Sequence, residues 1–468
     1  MTTTEPTRPP TAAIVTLGCG RNEVDSANAA GLLAASGYRV VEDPEQADAV
    51  LVNTCAFIEA AKRESIETVL DAAALKQDGR ARKVLVMGCL AERYTQELRA
   101  ELPEADAVVP FADYGRLPEL LMGPGPGGAA PAAPAPGAPT PLVPPGRRAL
   151  PMVFPTPAAA AFPARAPARA PVAMVKLAEG CDRACSFCAI PSFRGPFRSR
   201  RPTEVLAEVA WLAGHGVSEV CLVAENSTSY GKDLGGREAL VRLLRDLAGV
   251  EGLRRVRLNY LQPDELTPGL LEEMAANPVV CSYFDLSLQH ASAPVLRRMR
   301  RGGSGAAFLD LVARIRELDP DAALRSNFIL GFPGERAADV RELEEFLEAA
   351  RLDWVAFFAW SAEDGTAALA LDGRVPPAAA RARVERLQAL QDRVLGEVQA
   401  DWVGRELEVL VERAGAADGD PAEGRSFREG VDCDGVVRVE GCRARVGEYL
   451  RVVVAAAEGP ELVARPSR

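Results

Sequence analysis

The chain has 468 residues, 48% of them hydrophobic, and a formal net charge of −11. That length allows about three domains with full cores, and the acid excess opposes tight nonspecific binding to nucleic acid. With only two histidines, His215 and His290, histidine-rich metal sites are excluded.

Ten cysteines without the paired spacing of secreted scaffolds indicate a reducing cytosol. The stretch Met1 to Pro10 lacks the basic and apolar regions of a signal peptide. No apolar run approaches the ~20 residues that span a bilayer. A cytoplasmic protein with no membrane partner is expected.

Three apolar, β-rich runs open the chain: Ala12 to Cys19, Ala49 to Cys55 and Lys83 to Cys89. Helical patterns follow them over Glu23 to Ser36, Phe57 to Leu75 and Ala91 to Leu102. Continuous apolar strands alternating with helices predict a doubly wound parallel sheet over residues 11–122. Each run ends in a cysteine, beside Gly18, Thr54 and Gly88. The carboxyl ends of such strands form the ligand crevice, so Cys19, Cys55 and Cys89 are expected to converge. Buried cysteines serving as small hydrophobes are the plain alternative. Their shared place at strand ends favours a second three-thiolate cluster site.

Residues 123–171 contain 15 prolines among 49 positions, with alanine and glycine filling most others. Proline lacks the backbone donor, and the few apolar side chains cannot offset ordering entropy. A linker is expected here.

Beyond it stands Cys181, Cys185 and Cys188, spaced C-x3-C-x2-C, just after an apolar strand-like run. Three thiolates can hold three irons of a 4Fe–4S cluster and leave the fourth iron open, which suggests redox chemistry on a bound molecule. A structural zinc site would want four protein ligands and C-x2-C pairs. Six strand-like runs recur in this region: Met174 to Ala178, Glu219 to Ala224, Arg255 to Tyr260, Ser282 to Leu288, Leu324 to Leu330 and Asp353 to Trp360. Helical patterns alternate with them over Glu204 to His215, Glu238 to Leu247, Leu266 to Ala276 and Ala306 to Leu318. This predicts an open, partial (β/α)6 barrel over 172–400, and one long helix is expected from Pro377 to about Trp402. The basic run Arg194, Arg198, Arg200 and Arg201 reads as a solvated face, with charge-assisted bonds to a carboxylate as its alternative. Cys221, Cys281, Cys433 and Cys442 lack ligand spacing and read as structural.

Residues 401–468 change to short alternating strands, such as Leu407 to Glu412, Val436 to Val439 and Tyr449 to Val454, between Gly, Asp and Pro turns. A small antiparallel β-barrel is expected. Its 14 acidic and 10 basic residues give a net charge of −4, a weak basis for RNA binding.

The loop Met174 to Gly195 resembles the signature of radical S-adenosylmethionine enzymes, with Phe187 as the aromatic before the last cysteine. The whole chain apart from the linker is similar to the methylthiotransferases of that superfamily: cluster domain, radical barrel and small TRAM domain, OB-like in build. Further stretches point to the group that modifies an aspartate of ribosomal protein S twelve, the RimO type. They are Gly18-Cys-Gly-Arg-Asn-Glu-Val-Asp-Ser26, Val52-Asn-Thr-Cys-Ala-Phe-Ile58, Gly88-Cys-Leu-Ala-Glu-Arg-Tyr94, Cys188-Ala-Ile-Pro-Ser-Phe-Arg-Gly195, Tyr260-Leu-Gln-Pro-Asp-Glu265 and Gly331-Phe-Pro-Gly-Glu335.

The resemblance implies that S-adenosylmethionine chelates the open iron on Cys181, Cys185 and Cys188 and is cleaved to a 5′-deoxyadenosyl radical. It implies a second 4Fe–4S cluster on Cys19, Cys55 and Cys89 that carries sulfur, and a second S-adenosylmethionine as methyl donor. Phe187, Glu225, Gln289 and Gly331 are the implied cofactor-contacting positions. Glu225 opens the polar run to Gly231 where the cofactor's amino-acid end is held, and a hydrophilic loop is its plain alternative. His290 reads equally as a cofactor contact or a hydrogen-bonded barrel histidine. The implied partners are ribosomal protein S twelve in the small subunit and an external electron donor. A modified adenosine in tRNA is the alternative substrate, and a two-cluster electron carrier the alternative of another class. The chain departs from the family pattern at Asp285-Leu-Ser-Leu-Gln-His290, Arg336, Glu225 and Arg428 to Gly435. The six cluster cysteines are intact.

Overall fold

The computed structural model describes residues 8–122, 170–236, 238–417 and 419–467. All but the last two positions of the expected linker lie outside the described residues, as does the stretch 1–7. The described residues form two compact units, one of 8–122, 179–182 and 189–197, the other of 170–178, 183–188 and those from 198 onward.

The first unit contains β1 (Thr11–Thr16), α1 (Gly20–Ala35), β2 (Arg39–Val41), β3 (Ala49–Thr54), α2 (Glu59–Asp78) and β4 (Lys83–Gly88). There follow α3 (Cys89–Arg93), α4 (Thr95–Glu101), β5 (Ala107–Val108), α5 (Leu117–Met122) and α6 (Ile190–Arg194). The sheet runs β2-β1-β3-β4-β5 with every pair parallel. Val50, Leu51, Val52, Val84, Leu85 and Val86 are completely buried in its two central strands. Covering a sheet on both faces requires such unbroken apolar runs. The single helix expected over Ala91 to Leu102 is instead broken at Tyr94, whose φ of −126° and ψ of 38° leave the helical region.

The second unit opens with β6 (Val172–Lys176), Ala178 of the two-residue strand β7 (Ala178–Glu179), and β8 (Arg198–Ser199). Next come α7 (Pro202–Gly214), β9 (Glu219–Val223), α8 (Ala239–Leu247), β10 (Arg255–Leu258), α9 (Pro268–Ala276) and β11 (Tyr283–Gln289). The series ends with α10 (Ala293–Arg298), α11 (Gly305–Leu318), β12 (Ala323–Leu330), α12 (Ala337–Ala350), β13 (Trp354–Ala359) and α13 (Pro377–Ala400). β6, β9 and β10 pair in parallel, as do β11, β12 and β13. Two parallel bridges, Val256 to Val280 and Leu261 to Leu286, join the halves. Six strands thus stand side by side in chain order, as the partial barrel requires.

The C-terminal region forms a closed barrel of β14 (Glu406–Arg413), β15 (Ala422–Arg425), β16 (Val437–Val439), β17 (Tyr449–Glu458) and β18 (Glu461–Pro466) in the order β14-β15-β16-β18-β17. Val409, Val437, Val439, Val452, Val454 and Leu462 fill its interior. β16 and β18 pair in parallel and the other joints are antiparallel. A ring with an odd number of strands cannot alternate at every joint, so the expected antiparallel barrel carries one parallel seam.

This small barrel is fastened to the N-terminal ends of the larger barrel's strands. Arg425 donates to Glu219 (3.1 Å), Arg257 to the Phe427 carbonyl (2.8 Å), and Tyr283 Oη to Asp434 (2.7 Å). Arg428 pairs with Asp353 at 2.8 Å, and Arg325 with Asp434 at 3.2 Å. The opposite, C-terminal strand ends carry the expected site residues. Among the described residues no helix is long and apolar enough to cross a membrane.

Candidate functional site

In the first unit the thiols are placed by the sheet register. Thr16 pairs with Asn53 and Thr54 with Gly88, so the chain leaves β1, β3 and β4 at one level. Cys19 caps the N-terminus of α1, Cys55 follows β3, and Cys89 begins α3. Gly18 and Gly88 both take φ of 94°, which a side chain resists. A Cβ on Gly88 would stand 2.4 Å from Asn53 Oδ1 and the Thr54 carbonyl, and one on Gly18 3.0 Å from Cys55 Sγ. Backbone approach this close draws the three thiols together.

Polar groups hold that arrangement. Asn22 Nδ2 donates to the carbonyls of Leu17 (2.7 Å) and Thr54 (3.1 Å), tying two of the turns. Ser65 Oγ accepts from the Cys55 amide at 2.9 Å and donates to its carbonyl at 3.0 Å. The buried guanidinium of Arg194 donates to Cys89 Sγ at 3.1 Å.

The thiols also feel one another. Burial pushes Cys55 up to about 11, helped by the charges of Cys89 and Cys19. Burial likewise raises Cys89, against the pull of Arg194. For Cys19 burial is outweighed by Arg21, Arg194 and backbone N–H donors, and the thiol falls below its ordinary range. Three partly buried thiols, each opposing the others' ionisation, are a donor set that a multivalent cation would stabilise as thiolates. Among the described residues no three His, Cys, Asp or Glu side chains are grouped to hold a single ion.

In the second unit the expected residues stand at successive strand ends: Glu225 after β9, Gln289 closing β11 and Gly331 after β12. Gln289 has φ of 72°, at a register shift between β11 and β12. The Gly331 amide donates to Glu335 at 2.9 Å. His290 is fully buried; its Nδ1 accepts from the Ser292 amide at 2.9 Å, and its Nε2 lies 3.6 Å from Glu335. Phe187 is half-buried on the cysteine loop.

That loop is pinned along its length. Cys188 N donates to the Cys185 carbonyl at 3.2 Å, and Ser186 bonds the carbonyls of Met299 and Arg298. Arg301 donates to Cys185 Sγ at 3.8 Å. Cys181 falls in the first unit, where its amide donates to the Gly195 carbonyl at 3.1 Å.

Sequence reasoning missed the clamp on this loop. Arg183 pairs with Asp264 at 2.8 Å and with Glu265 at 2.9 Å. Glu265 also accepts from Asn226 (3.1 Å), Ser229 (2.7 Å) and Lys232 (2.6 Å). Burial would raise its carboxyl, but the Lys232 ammonium and these hydroxyl and amide donors hold it below the usual range. An arginine between two loop cysteines was the available signal. The basic run divides between its two readings: Arg194 and Arg200 are buried on carboxylates, Arg200 bonded to Glu208 at 2.5 Å, while Arg201 is exposed. Of the four remaining cysteines Cys221 and Cys281 are buried, Cys442 is intermediate and Cys433 is exposed.

Comparison with known proteins matches residues 175–347 to the Radical SAM superfamily and 403–466 to the TRAM domain. Residues 11–110 match a family described as Uncharacterized protein family UPF0004. A protein of Nocardioides sp. named ribosomal protein uS12 methylthiotransferase RimO is 50% identical, over 97% of this chain and 96% of its own length. The chain belongs to the RimO methylthiotransferase family. Relatives of the same name from Kineococcus radiotolerans and Streptomyces coelicolor are 47% and 46% identical, each over 97% of this chain and 96% of their own length.

RimO-family chains are radical S-adenosylmethionine enzymes, and this chain is an enzyme of that kind, with a 4Fe–4S cluster and S-adenosylmethionine as its cofactors. Among solved structures, the radical S-adenosylmethionine methyltransferase TsrM of Kitasatospora setae shares the fold. Its TM-score is 0.52 at 15% identity, over 75% of this chain and 73% of TsrM. The radical match encloses Cys181, Cys185, Cys188, Glu225, Gln289 and Gly331, and the N-terminal match encloses Cys19, Cys55 and Cys89.

Proposed function

We propose that this enzyme attaches a methylthio group to the β-carbon of an aspartate in ribosomal protein uS12, with the protein presented in the small ribosomal subunit. The observation that carries this reading is near full-length identity of 46–50% to proteins named for that activity. The N-terminal domain (11–122) and the barrel (172–400) each hold one 4Fe–4S cluster, and 123–171 links them. An external donor supplies electrons, and the reaction takes place in the cytoplasm.

When bound, the clusters and S-adenosylmethionine supply reductive generation of a carbon-centred radical, sulfur and the methyl group, which no side-chain acid or base can provide. The chain's own residues hold and tune these groups. Cys181, Cys185 and Cys188 are the barrel-cluster ligands, and Arg183 anchors their loop to Asp264 and Glu265. Phe187, Glu225, Gln289 and Gly331 contact the bound cofactor at the C-terminal strand ends. Cys19, Cys55 and Cys89 are the ligands of the second cluster, with Cys89 buried and the other two partly exposed.

The C-terminal barrel supports a protein substrate over tRNA. Arg425 and Arg428 are buried in ion pairs. Arg405, Arg413, Arg438 and Arg465 face Asp321, Glu423, Glu458 and Glu440. With 14 acidic against 10 basic residues, the region carries a net charge of −4, a poor basis for neutralising phosphates, which carry most RNA affinity. Iron analysis after anaerobic reconstitution tests the two-cluster assignment: about eight irons for the full chain and about four after removal of either cysteine triad. Four irons in the full chain would overturn it.

A further inference from the structure

We infer that Arg194 is a positioning residue that sets the reduction potential of the cluster on Cys19, Cys55 and Cys89. This rests on the two-cluster reading above.

Arg194 closes α6, six residues beyond Cys188. The same short segment therefore carries the barrel-cluster cysteines and a cation for the other cluster. Its side chain is 1% exposed. Nη2 donates to Cys89 Sγ at 3.1 Å and reaches Asn22 Oδ1 at 3.2 Å and Asp25 Oδ2 at 3.4 Å, while Nη1 pairs with Glu179 at 3.1 Å. The guanidinium lies 4.9 Å from the Phe111 ring centroid. Asp25, Glu179 and the aromatic face fix the planar fork so that one donor is aimed at sulfur.

A structural ion pair alone would need only the two carboxylates. Nη2, which also faces Asp25, makes its shortest contact to a ligand sulfur, and that has a chemical consequence. Reduction adds negative charge to the cluster, and a hydrogen bond and fixed positive charge at a ligand sulfur stabilise that state, raising the potential. Burial makes the interaction stronger than it would be in water. Arginine does not deprotonate in proteins, so the effect is the same across assay pH. Lysine keeps the charge without the fork.

The test uses the full chain with Cys181, Cys185 and Cys188 replaced by Ala, so that only the N-terminal cluster loads. This parent, R194K and R194Q are reconstituted anaerobically, assayed for iron and sulfide, and titrated potentiometrically with electron paramagnetic resonance detection. At fixed potential R194Q should show an about tenfold lower ratio of reduced to oxidised cluster, which is about 59 mV for a one-electron couple. R194K should fall between R194Q and the parent, with an altered spectrum. Should R194Q not fold, R194K decides, because it keeps the charge that Asp25 and Glu179 require. A folded, loaded R194K with the parent's potential and spectrum would overturn the role of Arg194 alone. A parent that takes up no iron would instead remove the second cluster, and the inference with it.

Discussion

Glu219, the first residue of β9, accepts a hydrogen bond from Arg425 of the C-terminal barrel at 3.1 Å, with both side chains buried. Arg257 (3.3 Å) and Arg255 (3.8 Å) converge on the same carboxylate. One acidic group thus neutralises cations from two β-structures. Arg425 and Arg255 keep Glu412 and Glu408 as partners, but removing Glu219 leaves the buried Arg257 without its carboxylate, which costs about 3–5 kcal/mol. E219Q should lower the denaturation midpoint accordingly, and a midpoint equal to wild type would show that the joint does not bear stability.

The same group predicts a pH dependence. Burial opposes ionisation of Glu219, but Arg425, Arg257 and Arg255 outweigh it and bring the carboxyl to about 2. A folded-state value below the unfolded one means stability that is present above the ordinary glutamate range and lost as pH falls toward about 2. Stability measured between neutral pH and pH 3 should fall less steeply in E219Q than in wild type.

At Gly88 the φ of 94° and the 2.4 Å approach to Asn53 Oδ1 and the Thr54 carbonyl leave no room for a methyl group. G88A adds backbone strain of about 1–3 kcal/mol and an overpacking cost of similar size. The variant should melt at lower temperature and load less iron on the N-terminal thiols. Unchanged iron content would contradict the role assigned to this turn.

Much of this was legible in the sequence because burial on both faces leaves a one-dimensional trace. The apolar runs ending at Cys19, Cys55 and Cys89 became β1, β3 and β4 almost residue for residue. β2 and β5 were invisible because two or three residues at a sheet edge carry no periodic pattern. The parallel seam between β16 and β18 follows from ring closure, which no local pattern encodes. Arg194 was read as solvated because its partners Asn22, Asp25 and Cys89 lie more than 100 residues away in the chain. Glu265 stood in a quoted family stretch, yet its role emerged only when Arg183, Asn226, Ser229 and Lys232 met around it.

The Arg183 clamp predicts a loss of cofactor cleavage without loss of fold. Its two ion pairs use the guanidinium fork, and lysine supplies only a point charge. R183K and E265Q should each reduce 5′-deoxyadenosine formation by about tenfold, equivalent to about 1.4 kcal/mol in the barrier, with a melting temperature near wild type. Wild-type cleavage in either variant would show that the loop holds its own geometry.

The two cysteine sets should separate by product. C185A removes a barrel-cluster ligand and should abolish 5′-deoxyadenosine formation. C55A should retain it while forming no methylthiolated product, because the radical is made but sulfur is not delivered. Cleavage persisting in C185A would refute the ligand role of that cysteine.

The most direct measurement incubates the reconstituted enzyme with reductant and S-adenosylmethionine, offering small ribosomal subunits and tRNA in parallel. Tandem mass spectrometry of uS12 peptides and of tRNA nucleosides then reads the product. A methylthio group on the β-carbon of one uS12 aspartate, with tRNA unmodified, is the predicted result. Modification of tRNA with uS12 unchanged would contradict it.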